Sequence, residues 1–114
     1  MTETLLTESR QFVADHRHSM PGSFEPRHGH NWELEATVRN HESFRLGSAL
    51  DSLIETIDYS LLNDHDFLEA RNATAEAVAE LTFQYLETQG LKPLIVRVRE
   101  KPNYWAACKR KSFT

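Results

Sequence analysis

The chain has almost no cysteine: Cys108 is the one thiol among 114 residues. An intrachain disulfide is therefore excluded, and the composition fits a reducing, cytoplasmic compartment. Long apolar runs are also missing, so no segment reads as a membrane span. Nor is there an excess of positive charge. Thirteen Lys and Arg stand against seventeen Asp and Glu, a net charge of −4, which argues against a general nucleic-acid surface. The opening Met1-Thr2-Glu3-Thr4 lacks the basic and apolar regions of a signal peptide. Repeats and low-complexity stretches are absent. What remains, at 39% hydrophobic and 26% charged residues, reads as one soluble globular domain over residues 1–114.

Hydrophobic periodicity divides that domain. Leu5 to His18 reads as a strand, broken by Met20-Pro21-Gly22-Ser23. Asn31 to Asn40 alternates cleanly, with Trp32, Leu34, Ala36 and Val38 on one face. Leu50, Leu53, Ile54, Ile57 and Leu61 then follow helical spacing, predicting an amphipathic helix from about Ser48 to Leu62. A second helix is expected to start at Thr74, a good N-cap, and to stop at Gly90. Its apolar face is Ala77, Val78, Leu81, Tyr85 and Leu86. Leu94 to Glu100 and Tyr104 to Lys111 alternate on either side of a Lys101-Pro102-Asn103 turn. The expected architecture is α+β: a four-stranded antiparallel sheet with two helices on one face, in the order ββααββ. Such a sheet leaves two edges and one face open, which predicts an oligomer whose sheets join.

Three histidines carry the chemistry. His28 and His30 flank Gly29, and residues two apart on a strand share a face. His16, on the preceding strand, is brought alongside by the connection at 19–27. Three imidazoles with one coordination position left open form the ligand set of a catalytic zinc rather than a closed structural one. His18 lies two residues past His16 and could face the same side, but it is expected to support the site or lie at the surface rather than bind the metal.

Phe12 to His16 (FxxxH) followed by His28-Gly29-His30-Asn31-Trp32 (HGHNW), in this order of elements, resembles the 6-pyruvoyl-tetrahydropterin synthase and 6-carboxytetrahydropterin synthase family. Thr74-Ala75-Glu76 resembles its TxE motif, and Glu100 its pterin-anchoring glutamate. The resemblance implies a tunnelling fold, an oligomeric barrel that is usually a homohexamer, and an active site at a subunit interface. It also implies Zn2+ on His16, His28 and His30, a small-molecule dihydropterin substrate, and substrate contacts from Thr74, Glu76 and Glu100. The chemistry agrees, since a carboxylate accepts both adjacent N–H donors of a pterin's amino-pyrimidinone edge in a fork-like contact.

The departures bear on which reaction is run. Family members making pyruvoyl or carboxy products usually carry a catalytic cysteine in the loop before HGH. In the carboxytetrahydropterin type it lies four residues ahead of the first histidine, where this chain has Phe24. Glu25 follows, giving ExxHGH without the cysteine, which resembles the family's third type. Those members cleave 7,8-dihydroneopterin triphosphate to 6-hydroxymethyl-7,8-dihydropterin, a folate precursor, and Glu25 is then the base. The family's Asp-His pair resembles Asp64-His65 in one register. In the other it falls on Asp58-Tyr59 and loses its histidine. Asp64-His65 is preferred because it keeps the pair and suits a helix running to Leu62. The alternatives are a 6-carboxytetrahydropterin synthase of queuosine-type deazapurine synthesis, or a catalytically impaired relative that still binds zinc and pterin.

Overall fold

A computed structural model describes residues 1–20, 23–58, 60, 62 and 74–112, with the side chains at 15–20, 23–30 and 101 outside the description. The elements are β1 (Leu5–Met20), β2 (Ser23–Arg39), a 3-10 turn (Asn40–Glu42), α1 (Ser43–Ile57), α2 (Ala75–Thr88), β3 (Ile95–Lys101) and β4 (Tyr104–Lys109). The four strands form one antiparallel sheet in the order β1-β2-β3-β4. Helix α1 packs mainly on β1, and α2 on β3 and β4. The α+β architecture expected from the sequence is present.

The core follows the alternation. Trp32, Leu34, Ala36 and Val38 of β2, with Val96 and Val98 of β3, are buried against Leu46, Leu50, Leu53 and Ile57 of α1 and Val78, Phe83 and Leu86 of α2. Burial of each large apolar side chain contributes about 1.5–3 kcal/mol, which is what holds two short helices to the sheet. On α2, Thr82 and Phe83 are buried while Leu81 and Tyr85 are only partly so. Thr82 tolerates burial because its hydroxyl donates to the carbonyl of Val78 at 2.9 Å. Gly90 ends α2 with φ +83°, donating to Glu87, while Leu91 donates to Leu86. That pattern requires a left-handed residue at the glycine.

Three boundaries differ from expectation. Strand β2 begins at Ser23, eight residues before Asn31, because the ladder with β1 continues through a segment whose polar residues, Pro26 and Gly29 hide any alternation. Helix α1 begins five residues before Ser48 and ends at Ile57 rather than Leu62. Leu62 is nevertheless buried, so it continues the apolar spacing without continuing the helix. Among the described residues no helix is long and apolar enough to cross a membrane.

The strands differ greatly in length, and this positions the site. β1 and β2 span 16 and 17 residues, β3 and β4 only 7 and 6. β3 pairs with β2 from Thr37 to Glu33. The remainder of β2, from Trp32 back to Ser23, pairs with β1 alone. A two-stranded ribbon thus extends from the helix-backed sheet, and the molecule is 51 Å long but only 27 and 25 Å across.

Candidate active site

The ribbon carries the histidines. Along the β1–β2 ladder Phe12 lies opposite Trp32, Ala14 opposite His30, and His16 opposite His28. Directly opposed residues, and residues two apart, share a face of a sheet. The three histidine positions therefore continue the face on which Phe12, Ala14 and Trp32 are buried. That parity suits a three-imidazole donor set for zinc. The histidine side chains lie outside the described residues, and among the described residues no cluster of His, Cys, Asp and Glu is arranged to hold a metal.

The base of the ribbon is firmly built. The Phe12 and Trp32 rings stack with centroids 5.8 Å apart and planes 9° from parallel. The indole Nε1 donates to the Ala14 carbonyl at 3.2 Å, so a nearly inaccessible Trp keeps its polar atom satisfied. Asp58, the residue that closes α1, accepts the Val13 amide at 2.9 Å through Oδ1. Helix α1 is thereby tied to the edge strand one residue from Ala14.

Past the histidines the ladder slips. His16 opposes His28 but His18 opposes Glu25, so β2 uses one more residue than β1 between these pairs. Pro26 falls in that interval, and a proline brings no N–H to a ladder. Glu25 thus sits on β2 just beyond a bulge, a feature that re-aims neighbouring side chains. Its own side chain lies outside the described residues, as do Asp64 and His65 in full.

A second bulge sets Glu100. Arg99 pairs with Trp105 and Lys101 with Tyr104, leaving Glu100 as the extra residue of β3. Strict alternation would send Glu100 the way of buried Val96 and Val98. Its Oε2 is indeed buried, yet Glu100 and its sequence neighbour Arg99 both line one open concavity of about 330 Å³ together with Asn31 and Pro102. Arg99 is braced from both sides: Nη2 donates to Glu33 at 2.7 Å, and the guanidinium lies 5.3 Å from the Trp105 ring centre. Both contacts are made with its direct cross-strand partners.

Thr74 and Glu76 meet the same end of the hairpin. Thr74 is the N-cap of α2, its hydroxyl oxygen accepting the Ala77 amide at 3.2 Å. Glu76, exposed in the first turn, accepts the Tyr104 hydroxyl, and Tyr104 opens β4 opposite Lys101. Two carboxylates, Glu76 and Glu100, are therefore gathered at the β3–β4 turn. The sequence reading missed Tyr104 and Asn31 here. Tyr104, the first residue of β4, is half exposed.

Cys108 is remote from all of this. It pairs with Val96 inside the helix-backed sheet and is partly buried. Burial pushes its thiol pKa up, with Glu80 and Glu87 adding to the effect, so the thiolate is disfavoured.

Four antiparallel strands backed on one face by two helices, with histidines on the long hairpin and carboxylates at the short one, define a ββααββ domain of the pterin-synthase class. The sequence profile of 6-pyruvoyl tetrahydropterin synthase matches residues 5–111, and the chain belongs to that family. Its members are lyases acting on pterin side chains. The 6-pyruvoyl tetrahydropterin synthase of Caenorhabditis elegans is similar in structure, with a TM-score of 0.74 at 22% identity, covering 97% of this chain and 100% of that one. The Plasmodium falciparum enzyme aligns with a TM-score of 0.68 at 13% identity, covering 96% and 99%. The Plasmodium vivax enzyme, solved with a catalytic glutamate replaced by cysteine, aligns with a TM-score of 0.67 at 14% identity, covering 96% and 99%. No curated protein matches the sequence at a significant level.

Proposed function

We propose that this protein is a zinc-dependent lyase that cleaves the side chain of 7,8-dihydroneopterin triphosphate to 6-hydroxymethyl-7,8-dihydropterin, in the folate pathway. One observation carries the choice among the family's reactions. The single cysteine lies on β4, partly buried with its thiol held protonated, while the segment ahead of His28 offers Glu25 instead. A catalytic glutamate is compatible with the family, as the Plasmodium vivax variant is named for one.

His16, His28 and His30 would hold the zinc, which when bound acts as a Lewis acid toward the substrate's side-chain hydroxyls. Glu100 accepts the adjacent N–H donors of the pterin ring and fixes its orientation, with Thr74 and Glu76 alongside. Glu25 removes the proton of the 2′-hydroxyl. The C1′–C2′ bond then breaks. Its electron pair passes toward the pterin ring, C2′ leaves as an aldehyde, and C1′ takes up a proton. Asp64 and His65 relay protons in this scheme. The histidine positions and Asn31 alternate to opposite faces of β2, which favours a site completed between copies in a homohexamer. The protein would work in the cytoplasm, without nucleic acid or membrane as partner.

A second reading draws on Asp58. Helix α1 ends at Ile57, so the aspartate that closes it, bonded to Val13 at the ribbon base, is Asp58. This favours the register in which Tyr59 takes the histidine's place, and with it an impaired zinc- and pterin-binding relative. Incubation of zinc-loaded protein with 7,8-dihydroneopterin triphosphate, followed by mass spectrometry, separates the cases. Hydroxymethyldihydropterin supports the lyase. Carboxytetrahydropterin supports a 6-carboxytetrahydropterin synthase, and bound pterin without product supports the impaired relative.

A further inference from the structure

We infer that Asn31 is a specificity-determining residue of the pterin site, reading the ring's 4-carbonyl while Glu100 holds the two N–H donors beside it. The inference rests on the reading of the Glu100 concavity as the pterin site. Three chemical facts define what such a site must present. The amino-pyrimidinone edge runs donor, donor, acceptor: the 2-amino group, N3–H and the carbonyl oxygen. A carboxylate satisfies the first two only. The carbonyl needs a donor placed next to that carboxylate, and leaving it unpaired in a concave site has a cost.

Among the described residues, the concavity offers two side-chain donors beside Glu100, namely Arg99 and Asn31. Arg99 is already committed. It is bonded to Glu33 at 2.7 Å and stacked near Trp105, contacts that brace the bulge. Asn31 is exposed and lines the same wall from the neighbouring strand. Continuing the β2–β3 register past its last pair, Glu33 opposite Arg99, brings Asn31 level with Lys101 and beside Glu100. Adjacent strands lie about 4.8 Å apart, which matches the spacing between a ring carbonyl's partner and a carboxylate forked onto the next two donors. A carboxamide is also the fitting group. It donates without adding a second charge beside the Glu33–Arg99 pair, and its own oxygen remains free to orient it.

The test is calorimetric titration of the zinc-loaded full-length protein with two probes, 2-amino-4-oxopteridine and 2-amino-4-thioxopteridine. They share both N–H donors and differ only in replacing the carbonyl oxygen with a weakly accepting sulfur. The wild type is expected to bind the oxo probe about tenfold more tightly. Asn31→Ala should bring the two affinities to within about twofold, and Asn31→Asp should weaken the oxo probe further by setting acceptor against acceptor. Glu100→Gln should weaken both probes and leave their ratio unchanged. An oxo preference that survives in Asn31→Ala overturns the inference while leaving the pterin site standing. Failure of the wild type to bind either probe overturns both. Asn31 is exposed, so equal melting temperatures for wild type and variants would exclude misfolding as the cause.

Discussion

The helix-backed sheet and the two-stranded ribbon are built from the same two long strands, yet they are held by different means. From Glu33 to Thr37, β2 has a strand on each side and a buried face covered by helices. Its outer face is laced by Glu35–Arg97 and Glu33–Arg99 pairs across the register. From Trp32 back to Ser23 it has β1 alone. Two strands without a third are marginal in water. The proposed carboxylate half of the site, Glu76 and Glu100, thus rests on a framework that is already complete, whereas the proposed histidine half lies on the ribbon, where the proposed metal and further copies of the chain would add support.

Metal removal should break this contrast most severely. With His28→Ala, or after chelation, bound zinc should fall to none. Amides of residues 13–20 and 23–31 should then exchange about a hundredfold faster, while those at 33–38 and 95–98 keep their protection. A ribbon equally protected without metal would mean that strand pairing and assembly suffice to hold it.

The next largest effect tests chemistry within the ribbon rather than its order. Glu25→Ala should lower the cleavage rate by about 10²–10⁴-fold, the usual worth of a general base, with zinc content unchanged. Cleavage at the wild-type rate would remove Glu25 from the mechanism and return attention to Asp64 and His65, or to Asp58.

The joint between the two regions should show itself in stability. Trp32 is almost inaccessible, stacks on Phe12 and bonds the Ala14 carbonyl. Trp32→Ala should cost about 3–5 kcal/mol in urea unfolding, as for other buried aromatics, and Trp32→Phe less. If Trp32→Ala costs under about 1 kcal/mol, the stack is not what seals the ribbon base.

The same division governs what could be read from the sequence. Where burial is one-sided and complete, as at Trp32, Leu34, Ala36 and Val38 or at Leu94, Val96 and Val98, alternation is visible and the strands were placed within a residue or two. In the ribbon, residues 23–30 show no apolar alternation, with Pro26, Gly29 and polar residues among them, so the start of the strand reads as a loop. The α1 boundary failed for a different reason, since Leu62 is buried like a helix residue but lies beyond the helix. Bulges leave no mark in composition. Glu100 stands out in the sequence only through the family resemblance, and the observed register reveals it as the extra residue of a bulge that lines a concavity with Arg99. The histidine spacing was legible because strand periodicity alone fixes it.

The smallest effect concerns Thr74, where two roles meet in one hydroxyl. Its oxygen accepts the Ala77 amide, which caps α2, yet the hydroxyl proton remains available to a ligand. Capping needs only the acceptor, and substrate contact needs the donor. Thr74→Ala should therefore lose about 1 kcal/mol of stability and also weaken pterin binding severalfold, while Thr74→Ser restores both. Thr74→Asp is the informative variant. An aspartate caps as well as a threonine and favours the positive end of the helix dipole, but it brings no proton and adds a charge beside Glu76. Stability should hold while pterin affinity falls. If Thr74→Asp keeps full affinity, Thr74 serves the helix alone, and substrate recognition at this end of the sheet falls to Glu76 and Glu100.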